Sequence, residues 1–441
     1  LNLLHLSDIH FNVTHDGGQL DPDGEVRRAL VRDFEKRVLP QTGPIDALLI
    51  TGDIAFSGKK AEYEIALAWI AELCGVCGCE EEAVWMVPGN HDVDHSVIRA
   101  SKAIQLSHEW VRGKGTAEEV KAELQELLRD GISGPALMSP IEEYNLFAGP
   151  YGCTVSAKRP AWCTAHEAEW QERLKLNDDT PVHLHGLTSV LISGLADRKA
   201  GLALGHFQAE LNPLNDADVR IVLCHHPYTW FIDGNPVRDL LKGRAHVVLF
   251  GHEHEGGLEQ RDNSLWVFAG AVHPARNENQ WEPRYNVLRL DVEQAGASRK
   301  LAVEVFPRRW DRANSEFEPK YKDGAEAHRY RLELPERPDM SAAQSPEPPS
   351  GEGASTGARP TDAGTPPAFT LRRLRYRFLT LPWGIQVKIA QHLNLFAEED
   401  RGIKDPELFR RVLERARAAN STEALWNEIE KRHGTLEEAK G

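Results

Sequence analysis

Long hydrophobic runs are missing from this chain: nowhere in its 441 residues does an apolar stretch approach the roughly 18–20 residues of a membrane-crossing helix. The opening segment, LNLLHLSDIHF, also lacks the basic, apolar, small-residue succession of a secretory leader, so a soluble cytoplasmic protein with no membrane partner is expected. Cysteine is scarce at six residues, which fits that compartment and argues against a disulfide framework. Cys74, Cys77 and Cys79 cluster in LCGVCGCEEE, but a zinc site there would need a further ligand that the sequence does not supply. Free thiols in a loop after a helix are the expectation. A basic excess is absent too: 52 Lys and Arg face 67 Asp and Glu, for a net charge of −15. That balance disfavours a protein that coats nucleic-acid phosphates, yet leaves room for a pocket taking one phosphate ester, because bound cations reverse the local potential.

What is present changes character near residue 336. From Pro338 to Pro367 the chain has no aromatic residue and hardly a large apolar one, the composition of a solvated linker. If flexible, such a segment spans about 30 Å root-mean-square. Residues 369–441 then show helical spacing, with Ile385, Ile389 and Leu393 on one face and Leu408, Val412 and Leu413 on another. The expected organisation is a globular domain over 1–335, a disordered linker over 336–368 and a small all-α domain over 369–441.

Within 1–335 the rhythm is strand, helix, strand, which defines an α/β class. LNLLHLSD, DALLITGD, AVWMVPGN, VRIVLCHH and AHVVLFGHEH are near-continuous aliphatic runs of the kind a sheet covered on both faces requires. Residues 100–165 interrupt the rhythm and read as a helical insertion or cap. All five runs stop in metal-competent residues: Asp8 and His10, Asp53, Asn90 and His91, His225 and His226, His252 and His254. If the five strands are neighbours in one sheet, their carboxyl ends lie along one edge, where open α/β sheets gather ligand sites. Asp8 and His10, like His252 and His254, are two apart and share a side of an extended segment. Gly52, Gly89 and Gly251 each precede a candidate ligand and permit close backbone approach. So many carboxylates, amides and imidazoles in one place need a cation, and exceed one tetrahedral site.

In this order D-x-H, G-D, G-N-H-D, H-x-P and G-H-x-H resemble the signature of calcineurin-like metallophosphoesterases over roughly residues 1–310. The resemblance implies an αββα-type sandwich of sheets flanked by helices. It also implies one metal held by Asp8, His10, Asp53 and His254, and a second held by Asp53, Asn90, His225 and His252. His225 is preferred over His226 because the first histidine of H-x-P is the ligand. Two divalent cations would withdraw charge from a phosphoryl group and make hydroxide available at neutral pH. Manganese, or iron with manganese, is the first expectation by resemblance; zinc, cobalt or nickel also suit imidazole with carboxylate. His91, beside a ligand, is the candidate acid for the leaving oxygen, with Asp92 orienting its ring.

TGDIAFSGKKAEYE and PGNHDVD look like the branch containing bacterial cyclic-nucleotide phosphodiesterases and conflict-system proteins, which implies a diester of a cyclic or linear nucleotide, or nucleic acid, as substrate. The alternative is a phosphomonoesterase or protein phosphatase. LPWGIQVKIAQHLNLF and DPELFRRVLERARAANSTEALWNEI are similar to the small death-like adaptors called effector-associated domains, implying a protein partner docked through residues 369–441, against the plainer reading of a helical appendage. His183 and His185 imitate the ligand spacing but fit alternating strand positions; His273 and Asn286 belong to no motif, the latter on a late strand.

Overall fold

The computed structural model describes residues 1–13, 24–164, 174–211, 218–274, 282–295, 298–322, 324–336, 371–400, 403 and 407–438. The backbone forms two compact units, Leu1–Leu334 and Pro335–Gly441. The expected linker falls, after residue 336, outside the described residues.

Two sheets build the first unit. One contains β1 (Asn2–Leu6), β2 (Ala47–Ile50), β3 (Val84–Met86), β10 (Arg284–Ala295), β11 (Ser298–Asp311), β12 (Glu316–Pro319) and β13 (His328–Leu334), in the order β12-β11-β10-β1-β2-β3 with β13 also on β11. The other contains β4 (Ala161–Cys163), β5 (Val182–Leu187), β6 (Val219–Cys224), β7 (Val247–Phe250), β8 (Gly257–Arg261) and β9 (Ser264–Phe268), in the order β4-β5-β6-β7-β9-β8. The five aliphatic runs are therefore divided, β1, β2 and β3 being parallel neighbours in the first sheet and β6 and β7 in the second. Five similar runs on their own suggest a single continuous edge, but the strands divide between two sheets. Two stacked sheets account better for their composition, because every residue of β2 and β7 is buried. One face packs on helices and the other on the second sheet. The long hairpin β10–β11, by contrast, alternates buried and partly exposed positions along β11, as a half-covered strand should.

Helices frame these layers for legible reasons. Lys60–Cys77 begins where Glu62 accepts the Lys59 N–H at 3.0 Å and ends at Gly78 in the left-handed region, φ 68°. Cys74 and Cys77 thus sit inside the last turns of a helix rather than in a loop, buried and free, and burial pushes the Cys77 thiol up. Between β3 and β5 the chain forms helices including Lys102–Arg112, Ala117–Arg129 and Glu142–Ala148, and then β4, which joins the second sheet. Ala117–Arg129 opens on a reciprocal capping box between Thr116 and Glu119.

In the second unit, helices Leu371–Leu379, Trp383–His392, Glu407–Ala418 and Thr422–Glu438 enclose a core of their own. Ile389, Leu408 and Val412 are buried in it; Ile385, Leu393 and Leu413 pack against its margin. No helix among the described residues is long and apolar enough to cross a membrane.

Candidate metal centre

The polar residues that end β1, β2, β3, β6 and β7 meet where the two sheets abut. Asp53 is the hub. Its Oδ2 lies 3.3 Å from His10 Nε2 and 3.4 Å from His225 Nε2, while its Oδ1 accepts the His91 backbone N–H at 2.7 Å. Asn90 Oδ1 is 3.0 Å from His225 Nε2. Asp8 Oδ2 accepts the His252 N–H at 3.1 Å, and Asp8 Oδ1 is 3.4 Å from His254 Nε2. The ligand-capable atoms of Asp8, Asp53 and His225 all lie within 4.8 Å of one another, as do those of His10, Asp53 and His91, and of His225, His226 and His252.

Backbone conformation was set aside for this cluster. Asp8, His10, Asp53 and His252 have φ of 53°, 54°, 53° and 62°. L-residues rarely adopt such values, and each costs on the order of 1–3 kcal/mol. Gly52, at φ 90°, has no room for a side chain: a Cβ would stand 2.6 Å from His225 Nδ1 and 2.7 Å from the Gly89 amide. A Cβ on Gly89 would collide with Asp53 Oδ1, and one on Gly251 with Ser7 Oγ.

The imidazoles are oriented by main-chain carbonyls. His10 Nδ1–H donates to the His273 carbonyl at 3.0 Å and His225 Nδ1–H to that of Thr51 at 2.7 Å. Both rings therefore turn Nε2 toward Asp53. A histidine that holds a metal through one nitrogen commonly donates its other N–H to a carbonyl in this way, so the donor set fits divalent cations. Charge supports the fit. Burial opposes an ionised Asp8, but the His254 hydrogen bond and the nearby His225 draw its pKa down to about 2. Burial likewise opposes a charged His225, and the Asp53 carboxylate overrides it, pushing the ring up to about 9. His252 goes the other way, lowered to about 3 by burial and the His225 charge.

The expected partnership of His91 with Asp92 is not formed. His91 Nδ1–H donates to the Phe56 carbonyl at 2.8 Å, and its ring centroid lies 4.6 Å from that of His10. Asp92, fully buried, faces away and accepts the Ala55 and Gly89 N–H groups at 2.9 Å each, the Ile54 N–H at 3.3 Å and the Tyr63 hydroxyl at 3.0 Å. The tight turn over Asn90–Asp92 explains this, since three backbone donors already surround the carboxylate. Asp92 thus ties the segment after Asp53 to the turn that carries Asn90 and His91.

Other histidines separate as follows. His183 pairs with Asp218 at 3.0 Å on β5, and His185 lies 3.7 Å from Cys163 Sγ, both away from the hub. His226 is fully buried, its Nδ1 2.9 Å from Ser189 Oγ and its ring centroid 4.4 Å from that of His252. Asn286 lies on β10 and donates to the Ala269 carbonyl. Sequence reasoning missed Phe56, whose carbonyl fixes His91, and Trp230, whose ring centroid is 4.1 Å from that of His252. A carbonyl contact leaves no mark on residue identity; Trp230 had only its nearness to His225 and His226 as a signal.

Residues 1–256 match the family model described as calcineurin-like phosphoesterase, and the chain belongs to that family, whose members use divalent metals. Residues 370–431 match a second model, described as GTPase-associated adaptor domain, which answers the adaptor resemblance of the C-terminal helices. Among solved structures, a protein of Streptococcus pneumoniae described as a predicted phosphoesterase is 11% identical, covering 75% of this chain and 97% of its own, with a TM-score of 0.28. A 5′-nucleotidase candidate from Staphylococcus aureus is 12% identical over 66% of this chain and 51% of its own, TM-score 0.32. Wild-type Vps29 of Entamoeba histolytica complexed with zinc is 10% identical over 76% and 99%, TM-score 0.26. A comparison with curated proteins finds no match.

Proposed function

We propose that the first unit is a phosphodiesterase that uses two divalent cations to hydrolyse a cyclic or linear nucleotide or nucleic acid. The second unit docks it to a protein partner in a bacterial signalling or defence system. The observation that carries the enzymatic reading is the double reach of Asp53 Oδ2, 3.3 Å to His10 Nε2 on one side and 3.4 Å to His225 Nε2 on the other. One carboxylate thus stands between two ligand sets: Asp8, His10 and His254 with it, and Asn90, His225 and His252 with it. Manganese, or iron with manganese, is the first choice, with zinc, cobalt and nickel also matched to these donors. When bound, the cations neutralise phosphoryl charge and make hydroxide available.

The chain's own residues do the rest. His91, with Nδ1–H tied to Phe56, keeps Nε2 for the substrate and hands its proton to the leaving oxygen as an imidazolium. Asp92 holds the Asp53 and Asn90 segments together without touching the His91 ring.

Turnover of bis-p-nitrophenyl phosphate and p-nitrophenyl phosphate by manganese-loaded protein tests this, with Asp53→Asn as control. Preference for the diester, abolished in the control, is expected. Preference for the monoester would favour a phosphomonoesterase or protein phosphatase, and metal-independent turnover would sink the reading. Removal of residues 369–441 should end partner recruitment and leave model-diester turnover intact.

A further inference from the structure

A second concave site lies outside the metal cluster. A cavity of about 260 Å³ is walled by Gly256 and Gly257, the start of β10 and the segment after β12. Among the described residues its lining includes Arg284, Arg308, Lys320 and Lys322 and no carboxylate, in a chain whose net charge is −15. These four cations are not equally engaged. Arg308 is satisfied by both oxygens of Asp33. Arg284 pairs with Glu282 through Nε and Nη2, but its buried Nη1 has no hydrogen-bond partner.

Lys320 is partly buried and makes no ion pair among the described residues. The charges facing it are Arg284 and Arg309 on one side and Glu282 and Glu255 on the other; burial and Arg284 draw its pKa down. Gly256 and Gly270, both at positive φ, keep the space that the Arg284 side chain occupies, since a Cβ at 270 would stand 2.9 Å from Arg284 Cβ. Apolar walls come from Leu258, Phe268, Pro307 and Tyr321. Unpaired donors beside aromatic surface are what a charged group joined to a flat ring requires. The volume falls just below the roughly 300 Å³ at which drug-sized sites begin, so it suits a ligand no larger than a mononucleotide.

We propose that this cavity binds a phosphorylated small molecule of mononucleotide size, its phosphate held by Arg284 Nη1 and Lys320 Nζ with Lys322 at the mouth, and its ring against Tyr321 and Phe268. The site works without cations and is independent of the diesterase reading.

Equilibrium dialysis of AMP against the full chain, treated with a chelator and at low salt, is the test. Saturable binding that survives chelation is expected. It should weaken by about tenfold in Lys320→Ala, the loss of one charge-assisted hydrogen bond, and return in Lys320→Arg. Adenosine should bind at least about tenfold more weakly than AMP. An unchanged melting temperature certifies the fold of Lys320→Ala; if it falls, Lys322→Ala takes its place with the same expectation. Absence of AMP binding, its loss on chelation, equal binding of adenosine, or indifference to both lysine substitutions would overturn the proposal. Turnover of bis-p-nitrophenyl phosphate by Lys320→Ala reads the metal centre separately and should not change.

Discussion

Replacing His91 by alanine separates proton donation from metal holding. The backbone N–H of residue 91, which donates to Asp53 Oδ1 at 2.7 Å, survives the substitution, so the Asp53 carboxylate keeps its place. The ring loses one hydrogen bond, Nδ1–H to the Phe56 carbonyl, at a half-exposed position, worth about 0.5–1.5 kcal/mol. Proton donation to a leaving group contributes about 10²–10⁴-fold, or about 3–5 kcal/mol of barrier. The catalytic loss should therefore exceed the loss of stability, and it should depend on the leaving group. A nitrophenolate departs without a proton; a phenolate or alkoxide does not. The assay is kcat/KM for a graded series of aryl methyl phosphates with manganese-loaded protein and the variant, metal content being measured on both. His91→Ala should fall below the parent by less than about tenfold for the most acidic leaving group and by about 10²–10⁴-fold for the least. Parallel lines across the series, or loss of bound metal, would refute the assignment of His91 as the acid.

Asp92→Asn should leave the Ala55 N–H without an acceptor, because the Tyr63 hydroxyl can turn to accept from the amide and a backbone donor cannot; the cost is about 1–3 kcal/mol, read by urea unfolding. Its pH–rate profile should match the parent's, and a displaced profile at full stability would restore the His91–Asp92 pairing. Metal uptake should release protons at neutral pH, since the His225 ring, pushed up to about 9, carries a proton that a cation must displace; affinity then rises with pH toward about 9, seen by titration calorimetry in buffers of different ionisation enthalpy. In the metal-free protein the sign reverses: the raised pKa of His225 contributes stability that is complete below about 6.5 and lost as pH rises through about 9, measurable as a falling urea midpoint. Gly89→Ala places a methyl against Asp53 Oδ1 and should lower both metal content and stability, by about 1–3 kcal/mol for the overpacking.

The site was more legible in the sequence than its setting. Ligand candidates announced themselves because each closes an aliphatic run, and a chemical group at the end of a buried strand has few places to point. The partition of those runs between two sheets was not legible, since β2 and β7 read alike and pairing is decided by partners far along the chain. The same limit explains Asp92. Adjacency in GNHD suggested a contact with the neighbouring ring, whereas the turn gives its carboxylate backbone donors and Tyr63, 29 residues away in sequence. The cysteines are a milder case: LCGVCGCEEE contains glycines that suggest a loop, yet helix Lys60–Cys77 runs through Gly75 because both neighbouring turns are anchored by buried Leu73, Cys74 and Cys77.

Left-handed backbone at Asp8, His10, Asp53 and His252 carries a consequence for how such a chain drifts over generations. Glycine would relieve that conformation at all four places, so unconstrained mutation would gain stability there at once. A descendant that no longer needed hydrolysis should therefore lose these side chains early and fold more firmly, while keeping the buried aliphatic strands that lead up to them.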